Sequence, residues 1–333
     1  MRYDIAVAGF GLVGRLTALE LSKQHNVTVF EADDEHTANS AGKVAAAMLA
    51  PLAESVLCDS DLAMLGLESI ARWPSILEQL DHDVFFQQQG SLVVAHPQDK
   101  GDLQSFVQRI KPLEHFQSQL LDTQQIDKLE PELNARFSLA VFLPCEGQID
   151  NQAFYKASFL QLNKRNVKFV FNQHVSINEN KINNRPFDYI IDCRGLGAKC
   201  DQPLRGVRGE VARIYAPEVN LTRPIRLMHP RYPIYIAPKP NNEYVIGATE
   251  IESQDTGPAT VRSTLELLSA AYTVHSGFAE ARLLSIQSGL RPAFSDNRPQ
   301  INKIGNVISV NGLYRHGYML APALVAQALS QIE

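Results

Sequence analysis

The chain is poor in the residues that build metal centres, disulfide frameworks and membrane spans. Its 333 residues include only four cysteines, Cys58, Cys145, Cys193 and Cys200, and no two share a CxxC or Cys/His spacing. Neither a zinc site nor a disulfide framework is indicated, no metal is expected, and the thiols read as free in a reducing compartment. Long apolar runs are also missing. The longest, from Val44 to Ala53, is interrupted by Pro51 and is far shorter than the ~20 residues a bilayer requires. An excess of basic charge is absent as well. Lys and Arg total 31 against 36 Asp and Glu, a net charge of −5, which argues against nucleic acid as the main partner. The apolar run of the first strand starts at Ile5, leaving no room for a signal peptide. These absences predict a soluble, cytoplasmic protein without a membrane span, and they leave homo-oligomerisation open.

What is present has an ordinary globular composition, 45% hydrophobic and 20% charged. A chain this long exceeds one compact core, so one large or two interleaved domains are expected. The first informative stretch is "YDIAVAGFGLVG", Tyr3 to Gly14. A buried strand runs directly into Gly9-Phe10-Gly11-Leu12-Val13-Gly14, and a helical pattern continues to Gln24. A β-branched strand then ends at Glu31, closing a β-α-β unit in about thirty residues. Gly9 suits the tight turn, Gly11 a close backbone approach to a pyrophosphate, and Gly14 close packing of helix on strand. The first-turn amides of Leu12 and Val13, with the helix dipole, favour the phosphate charge. Glu31 is placed to accept from ribose hydroxyls, and its charge disfavours the 2′-phosphate of NADP. This turn alone does not separate NAD from FAD.

Further along, Asp61 to Leu80 carries an amphipathic helical pattern interrupted by Pro74. "GSLVVAHP" reads as a strand, Lys100 to Ile110 and Asn151 to Arg165 as helices, and "VKFVF" and "DYIIDCRG" as buried strands. Strand candidates then cluster at Val207–Tyr215, Ile234–Ala237, Tyr244–Ala248 and Ala281–Ser288, with one helix over Val261–His275. The tail reads as strand, glycine-containing turn and closing helix. Mononucleotide-type patterning at both ends, with antiparallel-looking strands between, predicts α/β plus α+β architecture: a Rossmann-like cofactor domain with a mainly antiparallel-sheet domain inserted. The expected boundaries are 1–60, 140–205 and 285–333 for the cofactor domain, and 61–139 and 206–284 for the inserted one.

Three segments carry a resemblance. "SAGKVAAAMLAP" (Ser40 to Pro51), "SGLRPAFSDNRPQI" (Ser288 to Ile301) and "NGLYRHGYMLAPAL" (Asn311 to Leu324) resemble the D-amino acid oxidase family of FAD-dependent amine oxidases, and within it the glycine oxidase branch. "YPIYIAPK" and "EYVIGATE" match the family's substrate-side strands, so the similarity spans essentially the whole chain. FAD as cofactor follows from this resemblance. It places Ala46, Ala47 and Met48 beside the flavin ring, Gly195 and Gly197 near the pyrophosphate, and Val175 against the adenine. An ordinary strand valine is a serious competing reading of Val175. Backbone amides of Gly317, Tyr318, Met319 and Leu320, at a helix N-terminus, are expected beside the flavin edge. The chain departs from the family at Lys43-Val44, where Ser or Thr is usual, and at Ala47, where glycine is common.

The resemblance also implies a small amino-acid substrate, oxygen as co-substrate, and a carboxylate anchor. Arg291 matches the family's anchor, and guanidinium suits that task because its planar fork makes two parallel hydrogen bonds. An internal ion pair is the alternative reading of Arg291. Tyr235 alternates with Ile234 and Ile236, so it faces away from both, and the family's tyrosine there helps hold the carboxylate. Arg315 matches an arginine near flavin and substrate. His316 reads more readily as an exposed turn histidine than as a base, and Glu250 equally as a pocket residue or a solvated strand end. His229 receives no role. The implied activity is oxidative deamination of glycine, sarcosine or a small D-amino acid to a 2-oxo acid, ammonia and hydrogen peroxide. The rivals are a dehydrogenase using a quinone or protein acceptor, a tRNA-modifying flavoenzyme, and a non-catalytic flavin module.

Overall fold

Two sheets organise the chain, and the groove between them is where the predicted site residues gather. The computed structural model describes residues 1–56, 60–111, 117–133 and 136–332; Cys58, read above as a free thiol, lies outside them. The first sheet has six strands in the order Gln300–Ile304, Val307–Asn311, Tyr189–Asp192, Asp4–Ala8, Asn26–Phe30 and Lys168–Val170. All its neighbours run parallel except the hairpin at the Gln300–Ile304 edge. Both faces of the strand Asp4–Ala8 are buried, which accounts for its unbroken apolar run. Ile5 and Val7 pack with Leu16 and Leu19 of the helix Leu12–Leu21, while Ala6 and Ala8 pack with Phe187 and Ile190.

The second sheet has eight strands, in the order Arg282–Ala293, Arg205–Tyr215, Glu243–Gly247, Ile234–Lys239, Ile225–Met228, Ser91–Ala95, Leu139–Leu143 and Gln119–Asp122. It is antiparallel apart from the pairing of Ile225–Met228 with Ser91–Ala95. One face buries Ile234, Ile236 and Ile246 beneath Leu267, Ala271 and Val274 of the helix Val261–Val274. The expected boundaries at 140 and 285 fall inside the strands Leu139–Leu143 and Arg282–Ala293, both of which belong to this larger sheet. Backbone pairing across the sheet, invisible in local patterning, recruits them.

Two elements run further than local signals suggest. The helix Ser60–Leu77 continues through Pro74 rather than stopping there. Buried Ile70 and Trp73 pack against the closing helix, and Trp73 Nε1 donates to the Tyr318 carbonyl at 3.1 Å. That packing offsets the backbone bond the proline removes. The strand Arg282–Ala293 runs past Ser288 because pairing with Arg205–Tyr215 persists to the Arg205–Ala293 pair. Arg291 is therefore held inside a strand, opposite Val207. Among the described residues, no helix is long and apolar enough to cross a membrane, and no group of three His, Cys, Asp or Glu side chains is placed to hold a metal.

Candidate active site

A cavity of about 880 Å³ lies between the sheets, within the range of sites that bury a cofactor-sized ligand. At one end it is walled by the glycine turn. Gly9 has φ 94°, and a Cβ there would lie 2.6 Å from the Cys193 carbonyl oxygen. A Cβ on Gly14 would lie 1.9 Å from the Gly9 carbonyl oxygen, so helix and turn approach as closely as the sequence spacing predicts. Gly9, Gly11, Leu12 and Val13 all line the cavity, and Gly14 stands behind them. Glu31 lines it as well. Its Oε2 accepts from Phe10 N–H at 2.6 Å and its Oε1 from Asp33 N–H at 3.0 Å, leaving lone pairs on both oxygens for a ligand. Gly195 and Gly197 sit on a short 3-10 turn facing the same space, held by Asn311 Nδ2 donating to the Gly195 carbonyl at 3.0 Å. Val175 is also in the wall, and its carbonyl accepts from Arg194 Nη1 at 3.2 Å.

The middle of the cavity is bounded by Ala46, Ala47 and Met48 on one side and by the helix Gly317–Leu329 on another. Ala47 adopts φ 54°, in the left-handed region that a Cβ disfavours. This explains the family's preference for glycine at the position. Asn151 Nδ2 donates to the carbonyls of Gly42, Lys43 and Ala45, and Arg213 Nη2 donates to Asn151 Oδ1, which ties the segment down. Gly317, Tyr318 and Met319 reach the cavity at the helix N-terminus. Leu320 does not. It is fully buried in the core, and its amide donates to the His316 carbonyl at 2.9 Å, the first bond inside the helix. The expected amide set therefore shrinks to three residues, since only the first turn of a helix leaves its N–H groups unpaired.

At the far end the side chains become charged. Arg226, on the strand Ile225–Met228, donates from Nη1 to Glu54 Oε1 at 2.6 Å. Arg315 Nε lies 2.7 Å from Glu54 Oε2, and Arg315 Nη1 donates to Glu250 Oε2 at 2.6 Å. Burial opposes ionisation of Glu54, but Arg315, Arg226 and His316 hold its carboxyl well below the usual range. Arg315 is held charged against its own burial by Glu54 and Glu250. Glu250 is thus both a strand-end residue, 46% exposed, and a partner of the site. His316 is not an exposed turn histidine: it is 3% exposed, because the helix it precedes is packed into the core. Burial pushes its pKa down to about 4 against the pull of Glu54, whose Oε2 lies 3.6 Å from Nδ1. His229 caps its own loop, Nδ1 accepting from the amides of Arg231 and Tyr232.

Arg291 contrasts with its neighbours. Of the other arginines lining the cavity, Arg194, Arg226, Arg262 and Arg315 have carboxylate partners, and Arg231 is exposed on a loop. Among the described residues, half-buried Arg291 has no carboxylate within ion-pair distance and donates only to the carbonyls of Arg208 and Thr249, at 3.2–3.3 Å. Glycines make the room for it and for Tyr235. A Cβ on Gly209 would lie 2.3 Å from Arg291 Nη2, and one on Gly247 would lie 2.7 Å from the Tyr235 hydroxyl. Tyr235 faces the cavity, as its alternation with Ile234 and Ile236 predicts, and burial raises its pKa against the pull of Arg291 and Arg315.

A family model described as FAD dependent oxidoreductase (DAO) matches residues 4–332. The chain belongs to that family. A Rhizobium etli protein named for a thiamine biosynthesis oxidoreductase, ThiO, is 37% identical over 330 residues, covering 98% of this chain and 96% of its own. The crystal structure of glycine oxidase from Geobacillus kaustophilus aligns with a TM-score of 0.85 at 22% identity, over 100% of this chain and 95% of its own. Iminodiacetate oxidase from Chelativorans sp. BNC1 aligns with a TM-score of 0.83 at 20% identity, over 98% and 95% of the two chains. Those two structures speak to the fold alone. This member of the family is an FAD-dependent oxidoreductase, and its residues suit the cofactor: a turn that a Cβ on Gly9 or Gly14 would break, first-turn amides with no partner among the described residues, and an acid at the end of the second strand.

Sequence reading missed Glu54 and Arg226. The available signal was Glu54 itself, a lone charge closing the apolar run that starts at Val44. Nothing local marks Arg226, which sits four strands along the sheet from Arg291.

Proposed function

We propose that this family member oxidises a small amino acid, with glycine as the first candidate and sarcosine and small D-amino acids as alternatives. The observation that carries the reading is Arg291: a half-buried guanidinium on a cavity wall with, among the described residues, no carboxylate to neutralise it. A charge in that position calls for an anionic partner. Arg291 would bind the substrate carboxylate with its two parallel donors, and the Tyr235 hydroxyl would add a third. Arg315 and Arg226, already paired with Glu250 and Glu54, shape the pocket instead of competing for the carboxylate.

The cofactor would be held by the glycine turn, Glu31, the Ala46–Met48 segment, Val175, Gly195, Gly197 and the amides of Gly317 to Met319. Bound FAD supplies a two-electron acceptor for the Cα hydrogen, which oxygen recycles to give hydrogen peroxide. The residues of this chain supply orientation, which accounts for much of the barrier in such a reaction. His316, neutral and buried, is poorly suited to take a proton near neutral pH, so the amine enters in its neutral form and its lone pair drives imine formation. Water then hydrolyses the imine. Overall, one amino acid, one oxygen and one water yield one 2-oxo acid, one hydrogen peroxide and one ammonia, or one methylamine where sarcosine is the substrate. The Rhizobium relative is named for thiamine biosynthesis, and we place this reaction in that pathway, in the cytoplasm. The test is anaerobic reduction of the bound flavin across a panel of amino acids, followed by oxygen consumption. Flavin that no α-amino acid bleaches would overturn the reading, and bleaching without oxygen uptake would replace oxidase by dehydrogenase.

A further inference from the structure

Arg15 is fully buried beside the glycine turn, and the amine chemistry makes no use of it. It is 1% exposed, its guanidinium lies 3.8 Å from the centre of the Phe10 ring and 4.2 Å from that of Tyr155, and among the described residues no carboxylate pairs with it. Nη1 donates to the Tyr155 carbonyl at 2.7 Å and to Ser158 Oγ at 3.2 Å, Nη2 donates to Thr37 Oγ1 at 3.1 Å, and Nε has no hydrogen-bond partner among the described residues. Burial draws its pKa down to about 10, with Tyr155, Tyr318 and Glu31 pulling the other way. Two aromatic faces compensate such a charge only in part, and a buried cation ordinarily finds an anion.

The missing anion has an evident place. Thr37 and Ser40 both line the cavity, and Ser40 Oγ would lie 3.3 Å from a Cβ on Gly11. Ser40 Oγ is also 2.7 Å from the Tyr155 hydroxyl, so the ring under Arg15 touches the same wall. Thr37 accepts from Arg15, which leaves its own hydroxyl hydrogen free to donate elsewhere. It is moreover held at φ 47°, a conformation uncommon for a β-branched residue and one that concentrates at ligand clamps.

We propose that Arg15 is the buried counter-charge of the cofactor's diphosphate, acting from behind the wall by orienting the Thr37 hydroxyl toward it. Arg15 is a positioning residue in this scheme. The inference rests on the diphosphate lying at the glycine turn, and the closing experiment separates the two claims. The full-length chain, freed of its flavin, is titrated calorimetrically with adenosine, AMP and ADP. The parent should bind ADP more tightly than adenosine. Arg15→Met should weaken ADP by roughly tenfold or more while adenosine shifts by less than about threefold, well inside one decade. Arg15→Lys, which keeps the charge, should retain most of the ADP affinity. Thr37→Val keeps the shape without the hydroxyl and should reproduce the same selectivity at smaller size, whether or not Arg15→Met folds. Equal losses for adenosine and ADP in both variants would make Arg15 and Thr37 mere braces and overturn the inference, as would unchanged ADP affinity. A parent that does not prefer ADP to adenosine would remove the diphosphate from the turn, and both claims would fall.

Discussion

Arg291 and Gly209 lie on adjacent antiparallel strands so close together that one methyl group on Gly209 would sit 2.3 Å from Arg291 Nη2. The guanidinium lies flat over the bare backbone of its neighbour strand and reaches the cavity from there. Two substitutions therefore test one assignment. Arg291→Met leaves a bound carboxylate unpaired, at a cost of about 3–5 kcal/mol, or roughly a hundred- to several-thousand-fold in substrate dissociation constant. Gly209→Ala keeps the arginine but pushes it off its seat, and should weaken substrate in the same direction with FAD content preserved. Anaerobic flavin reduction reads both. A dissociation constant within about threefold of the parent in Arg291→Met, well under one decade, would remove the carboxylate anchor.

Glu54 pairs with two arginines at once, so its loss is felt at both. Removing one partner of a buried pair costs about 3–5 kcal/mol, and Glu54→Gln, which keeps one acceptor, should fall near the low end. Urea denaturation of the holoprotein measures it. A midpoint equal to that of the parent would show the cluster to be solvated rather than structural.

Glu31→Gln should lower FAD affinity while turnover at saturating FAD changes little. A hydrogen bond to a charged group contributes about 1.5–3 kcal/mol, and Gln retains one oxygen for the Phe10 amide. Flavin release on dilution, followed by fluorescence, is the readout. Equal retention in parent and variant would take the ribose contact away from this residue.

Glu146 offers a pH-dependent test. It is fully buried, accepting from Ala53 N–H at 2.7 Å and from the Ser91 hydroxyl, and so supports the short helix Pro51–Glu54. Burial raises its pKa to about 7, with those hydrogen bonds pulling it back. The folded chain therefore holds this proton more tightly than the unfolded one, whose Glu titrates near ~4.3. Its contribution to stability is complete below that value and is lost as pH rises through about 7. Glu146→Gln imitates the protonated acid, so the variant should gain melting temperature over the parent between pH 5 and pH 8. A constant difference across that range would contradict the assignment.

Local signals carried the two ends of the chain further than its middle. The glycine turn, the helix after it and Glu31 are legible because a dinucleotide-binding β-α-β unit is built from near neighbours, each with a residue type that few others replace. Tyr235 was legible too, since alternation in a strand decides which face a side chain takes. The resemblance placed Arg291 and Arg315, but not their different states. Only the fold shows that Glu54 and Glu250 pair with Arg315, while among the described residues no carboxylate pairs with Arg291.

The amino-acid sequence by itself determined the glycine turn, the family, and which types of side chain are available to a pocket. Tertiary structure alone decided which of those side chains are paired, which helix amides stay free, and where His316 lies. Leu320 and His316 show the reason. An amide one turn into a helix is consumed by the carbonyl four residues back, and a polar residue ahead of a helix is buried or exposed according to what that helix packs against. Pairing and burial depend on partners far apart in the chain, and no local pattern specifies the distance between them.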